Sequence, residues 1–196
     1  MTLIDKIQEL IVGEYKYKLD STKEDFILTE TSKSATCREA RFKKTYDIAV
    51  FKFDEKVKGV QDKFPFFKEK SPNKSMCDYL IFYAYKNDIH KMNCFVCNLK
   101  SGNDSNNSDQ LEAGRIFGEF IIKTAIRIYN REISNLAGRS PIDENKDVKF
   151  VKVFFSNQNK NLDKSIGSKM KLAKQTFKIL PFKCGEETCI LDNYCS

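Results

Sequence analysis

Tryptophan is absent from this sequence and histidine occurs once, at His90. A single histidine leaves Ser/His/Asp or Cys/His catalysis only that position to use, and no nucleophile elbow accompanies it. His90 sits in a turn between two apolar runs and reads as a surface residue. The glycine patterns of a P-loop or a dinucleotide fold are missing, and so are internal repeats. No apolar run approaches the ~20 residues needed to span a bilayer. From Met1 to Tyr15, Leu3, Ile4, Ile7, Leu10 and Ile11 fall at helical spacing but are interrupted by Asp5, Lys6, Gln8 and Glu9. That is the pattern of an amphipathic helix on a core, not of a signal peptide or membrane segment. The expectation is a cytoplasmic protein with no membrane partner, whose seven cysteines, an odd number, are reduced thiols.

What is present is enough for one core. The 196 residues fit a single domain, and 41% of them are apolar, with 16 Phe and 8 Tyr. The net charge of +7 is unevenly spread. Between Asn145 and Lys183, ten lysines stand against Asp147 and Asp163, a local charge of +8 that leaves the rest near neutral. Such a stretch is either a solvated face or a nucleic-acid footprint, in which lysines contact phosphates and release counterions. For the second reading the candidate contacts are Lys149, Lys152, Lys160, Lys164, Lys169, Lys171 and Lys174.

Along the chain, the first helix is followed by a polar stretch, Asp20 to Lys44, with an apolar island at Phe26 to Leu28. Tyr46 to Phe53 reads as a strand. Glu55 to Lys74, charged and holding Pro65 and Pro72, reads as a loop. Cys77 to Tyr85 and Asn93 to Leu99 read as two strands of an antiparallel hairpin. Asp109 with Glu112 three residues on resembles a capping box, and a long helix is expected from about Gln110 to Arg131 with Leu111, Gly114, Phe117, Ile121, Ala125 and Ile128 inward. Glu112, Glu119, Lys123 and Arg127 fall on its wet side. Val148 to Phe155 alternates as a further strand, with Lys149 and Lys152 out of step with most apolar neighbours. A lysine-rich segment follows, with helical spacing near Lys169 to Phe177. The order helix, three strands, long helix, strand is that of an α/β sandwich with a mixed sheet.

One constellation carries chemistry. Asp78 opens the first hairpin strand. Asn98 and Lys100 lie two apart on its neighbour, hence on one face. Gln110 stands at the start of the long helix. This arrangement resembles the PD-(D/E)XK nuclease superfamily over roughly residues 46–155, with a basic C-terminal extension over 156–196. The resemblance implies a restriction-endonuclease-like α-β-β-β-α-β core, a small mixed sheet flanked by helices. It makes Asp78 and Asn98 the ligands of Mg²⁺ (or Mn²⁺), Lys100 the catalytic lysine and Gln110 a supporting polar group resembling the QxxxY element of RecB-like members. The implied activity is metal-dependent hydrolysis of DNA or RNA phosphodiesters, in a setting such as prokaryotic antiviral defence. Asn98 stands where the family has an acid, with Glu14 and Glu39 as candidate replacements, and Gly114 stands where the QxxxY tyrosine would be. The alternative implied by those departures is a catalytically silent nuclease-like module that binds nucleic acid or a protein partner, or forms a homo-oligomer.

Two cysteine patterns remain. Cys94 and Cys97 form a C-x-x-C, but on a strand they face opposite sides, unlike a redox or zinc turn. Cys184, Cys189 and Cys195 gather near the C-terminus at a spacing that matches no standard zinc knuckle.

Overall fold

A computed structural model describes residues 2–20, 22–31, 35, 37–44, 46–53, 76–85, 91–100, 107–134, 141–156, 178–185 and 187–194. The expected loop at Glu55 to Lys74, the turn at His90, the helical spacing at Lys169 to Phe177 and Cys195 lie outside the described residues.

Helix α1 (Leu3–Leu10) opens the chain, its start fixed by a capping box between Thr2 and Asp5. It ends sooner than its apolar spacing suggests, and a short 3-10 turn over Gly13–Tyr15 follows. Strands β1 (Asp25–Thr29) and β2 (Glu39–Lys43) come next, then β3 (Ile48–Lys52), β4 (Tyr79–Ala84) and β5 (Met92–Lys100). Helix α2 (Asn107–Ile133) and one turn of helix, α3 (Glu144–Asp147), lead into β6 (Val148–Ser156), β7 (Lys178–Lys183) and β8 (Thr188–Ile190).

The strands build two sheets. The larger is mixed, in the order β3-β4-β5-β6-β7. Strands β3, β4 and β5 form an antiparallel meander, while β6 runs parallel to β5 and β7 parallel to β6. A parallel neighbour demands a crossover, and α2 supplies it between β5 and β6. The smaller sheet, β1-β2-β8, packs on the opposite face from the helices. The molecule is thus a mixed α/β protein in three layers: helices, five-stranded sheet, three-stranded sheet.

Residue alternation assigns the two faces. Leu80 and Phe82 of β4, with Cys94 and Val96 of β5, point to the helices and meet Ile4, Ile7, Ile121, Ile122 and Ala125. Tyr79, Ile81 and Tyr83, with Phe95 and Cys97, point the other way and meet Phe26, Leu28 and Phe42. With both faces covered, β4 is buried along its whole length, and this explains its unbroken apolar run. Cys94 and Cys97 fall on opposite faces, as their spacing requires.

Two expectations need correcting. The sheet is not flanked by helices on both sides: among the described residues its second face is covered by β1-β2-β8. Both β1 and β2 bury alternate residues, Phe26 and Leu28 on one, Ala40 and Phe42 on the other. Two apolar residues per strand, in a polar stretch, left only a faint period of two. Nor are all the cysteines reduced thiols. Cys37, beside β2, is joined to Cys184, beside β7, across 147 residues of sequence. Closing so long a loop is worth about 5 kcal/mol in the chain-entropy account of disulfides. Cys77, Cys94, Cys97 and Cys189 are buried thiols outside that disulfide. Gly185, at φ 72°, turns the chain from β7 towards β8. No described helix is long and apolar enough to cross a membrane.

The seat of α2 on the sheet is set by two glycines one turn apart. A Cβ at Gly114 would meet the Cys77 sulfur and stand 2.8 Å from Val96 Cγ1, and one at Gly118 would stand 3.1 Å from the Cys94 sulfur. Alanine is intrinsically the better helix former by about 1 kcal/mol. At residue 114 the clash outweighs that gain, so Gly114→Ala should lower stability by about 1–3 kcal/mol. Gly118→Ala, with a milder contact, should stay within about 1 kcal/mol of the parent. Urea midpoints of the two variants check this, and an equally stable Gly114→Ala protein would show that α2 is not so closely seated.

Candidate functional site

The residues singled out in the sequence meet at one end of the β4–β5 pair, beneath the first turns of α2. Asp78 immediately precedes β4, and the register that pairs Tyr79 with Cys97 sets it opposite Asn98. Both fall on the even-numbered, helix-facing side of their strands.

Their hydrogen bonds form a closed clamp. The Asp78 N–H donates to Asn98 Oδ1 at 3.0 Å, and the Leu99 N–H donates to Asp78 Oδ2 at 2.6 Å. Asn98 Nδ2 donates in turn to Gln110 Oε1 at 3.4 Å. Asn98 is wholly buried and Asp78 is 6% exposed. A buried amide left without partners costs on the order of 1–3 kcal/mol, so this amide is bonded at both ends. Asn98 therefore ties the start of β4 and the end of β5 to α2. Lys100 is the last residue of β5, and its side chain lies outside the described residues.

Some expected participants are elsewhere. Glu14 is exposed on the 3-10 turn, and Glu39 is exposed on β2 in the other sheet layer. The position of the QxxxY tyrosine is the glycine that seats α2, with no room even for a methyl group. Asp109 lies inside the first turn of α2 and not at its cap, because the helix begins at Asn107.

The lysine footprint needs a sharper correction. Lys149 is exposed, while Lys160, Lys164, Lys169, Lys171 and Lys174 lie outside the described residues. Lys152 is fully buried and cannot touch a phosphate. Three positions after Lys149 on the same strand, it points to the other face, under α2. There its Nζ meets Glu112 Oε2 at 2.8 Å. Glu112 also pairs with Arg115, Arg115 with Glu119, and Glu119 with Lys123, so the buried cation opens an alternating ladder along α2. The sequence reading missed this ladder, for which the i,i+3 and i,i+4 spacing of 112, 115, 119 and 123 was the available signal; nothing local pointed to the partner on β6.

Mg²⁺ is held chiefly by anionic oxygens. The clamp offers one carboxylate, already accepting the Leu99 N–H, and one neutral amide oxygen, already accepting the Asp78 N–H. Glu112, the acid on the adjoining turn of α2, is engaged by Lys152 and Arg115. Among the described residues no group of three or more His, Cys, Asp or Glu is placed to hold a metal. The described donors thus suit hydrogen bonding better than a divalent cation.

The Lys152–Glu112 pair has a signature in acid. Burial pushes the Glu112 carboxyl up, but hydrogen bonds from Arg115 and Lys152 outweigh it and hold the group below its ordinary value. A lowered native pKa gives stability that is complete above the unfolded value of about 4.3 and lost as pH falls through the folded one. Glu112→Gln should flatten that acid limb and, at neutral pH, cost about 1–3 kcal/mol by leaving Lys152 buried beside a neutral group. Lys152→Met, which removes the buried charge, should be close to neutral or stabilising. Denaturation midpoints between pH 3 and 7 check both variants, and a Lys152→Met protein less stable than Glu112→Gln would contradict this account.

No protein-family model, curated protein or solved structure matches the chain.

Proposed function

We propose that this chain is a nuclease-like module of the PD-(D/E)XK type that binds nucleic acid without cleaving it. The observation that carries the reading is the Asn98 amide. At the family's acidic position, its oxygen accepts the Asp78 N–H and its nitrogen donates to Gln110. A side chain expected to ligate a cation instead bonds two strands to a helix. The element order α1, β3-β4-β5, α2, β6 supports the family reading, with Asp78 and Asn98 adjacent at the sheet end. Binding is ascribed to the basic C-terminal third, of which Lys149 is exposed. Phosphate contacts by lysines make affinity fall steeply with salt.

The rival reading is metal-dependent phosphodiester hydrolysis. The convergence of Asp78, Asn98 and Gln110 in one cluster favours it, since these are the positions a nuclease site would use.

One experiment separates the two. The unmodified chain should shift single- and double-stranded DNA or RNA in a salt-dependent way and leave them intact with Mg²⁺ or Mn²⁺. Asn98→Asp keeps an oxygen for the Asp78 N–H, loses the donor to Gln110 and puts a second carboxylate beside Asp78. Two close carboxylates resist joint ionisation, so the variant should lose about 1–3 kcal/mol at neutral pH. Divalent metal should recover part of that loss by neutralising the pair, whereas the parent's melting temperature should not respond. Cleavage by the unmodified chain, abolished by Asp78→Ala, would establish the rival. Salt-independent binding, or none, would remove the nucleic-acid reading altogether.

A further inference from the structure

Among the described residues the five-stranded sheet ends at β3, and the outer edge of that strand is only partly paired. Lys16 bridges Phe51, and the Tyr17 N–H donates to the Val50 carbonyl at 2.8 Å. No further bridge to β3 follows from this side among the described residues. Odd-numbered residues here turn their backbone groups inward, as the Asp47 carbonyl does in accepting the Ala84 N–H. Alternation along an antiparallel strand aims the backbone groups of even-numbered residues outward; Tyr17 already stands opposite Val50, so it is Ile48 that presents its N–H and C=O to the open edge.

A cavity of 630 Å³ lies along this edge. Ile48, Ala49, Val50 and Phe51 all line it, although their side chains alternate between the two faces of the sheet. The cavity thus abuts the strand's backbone edge and lies in the plane of the sheet. Gln8 of α1 walls it on the helix side, while Tyr17 and Tyr46 belong to the apolar layer on the other. Lys16 and Lys44 also line it, and neither forms an ion pair among the described residues. Among the described lining residues two lysines stand against one acid, Asp47.

We propose that this slot docks an extended peptide from a partner protein, added to β3 as a further strand with an acidic side chain held by Lys16 and Lys44. A slot in the plane of a sheet, floored by outward N–H and C=O groups, matches an extended main chain at the ~4.8 Å spacing of neighbouring strands. The Lys16–Phe51 bridge shows that this edge already accepts strand-like pairing at one end. Main-chain bonds supply affinity in such docking, and the alternate side chains supply choice. A partner side chain turned to the small sheet would meet Tyr17 and Tyr46, and one near the mouth would meet the lysines. Nothing in this docking depends on the nuclease-like reading, because the slot lies towards the Ala84 end of β4 and Asp78 lies at the other.

The test uses the whole chain with four fluorescent probes. They are a short peptide alternating valine and threonine with aspartate at both ends, its lysine-ended counterpart, its N-methylated form that cannot donate ladder bonds, and oligothymidine. Anisotropy reads binding, amide hydrogen exchange reads the site, and sedimentation reads self-association. The aspartate peptide should bind and slow exchange at Ile48 by at least about tenfold, while the N-methylated form should not. The double variant Lys16→Glu, Lys44→Glu should weaken it at least about tenfold and favour the lysine-ended peptide. Ile48→Pro should fold, because its N–H faces the open edge, and should lose binding; if it does not fold, the double lysine variant decides. The proposal fails if no peptide protects Ile48, or if the N-methylated form binds as tightly as its parent. It fails equally if oligothymidine or a second copy of this chain fills the slot instead.

Discussion

Helix α2 comes down on β5 with glycine at the two positions of closest approach, so that the backbone of the helix lies against Cys77, Cys94 and Val96. Water has no place in such a contact, and every polar group caught beneath the helix must find a partner within the protein. The Asn98 amide and the Lys152 ammonium are the two groups most constrained in this way, since both are wholly buried. Asn98 meets the requirement with Asp78 and Gln110, and Lys152 meets it with Glu112. The ladder that begins at Glu112 then carries the charge outward to Lys123, on the solvent side of the helix. The polar features that a functional reading would single out are, in this view, also what fixes the register of helix on sheet.

The same seam shows what the sequence could and could not disclose. The runs at Tyr79–Ala84 and Met92–Lys100 are apolar enough to be read as central strands, and the 27-residue helix carries its inward stripe plainly. Strand alternation, a rule that needs no tertiary information, puts Asn98 and Lys100 on one face, and the hairpin reading sets Asp78 on the neighbouring strand. Lys152 was read as exposed because a lysine in a basic stretch is nearly always solvated. Its true surroundings depend on which face of β6 lies under α2, and only the crossover decides that. The small sheet was missed for a related reason. Strands β1 and β2 each bury two apolar residues, and β8 has three residues in all, so no single segment announces a sheet that three distant segments assemble.

The disulfide belongs to that assembled sheet and is equally remote from local pattern. Cys37 and Cys184 stand beside β2 and β7, strands that share no ladder, and their bond ties one sheet to the other. Cys189 and Leu191 are fully buried, and the Tyr83 hydroxyl donates to Asp192. Several independent contacts thus hold the end of the chain against the core. A disulfide is uncommon in a reducing cytosol, so this bond and the expectation of a cytoplasmic protein pull in opposite directions.

We propose that Asn98 serves the protein as a hydrogen-bonded clamp and not as a metal ligand. The most direct measurement is a titration of the unmodified chain with Mn²⁺, observed through the side-chain amide protons of Asn98 and the backbone amide of Leu99. A paramagnetic ion bound at Asp78 lies within a few ångströms of both and would erase their signals first. With Asn98 engaged by Asp78 and Gln110, those signals should remain sharp and slow to exchange while exposed carboxylates elsewhere respond. Selective loss of the Asn98 and Leu99 signals at micromolar Mn²⁺, reversed by a chelator, would contradict the clamp and make the site a metal centre.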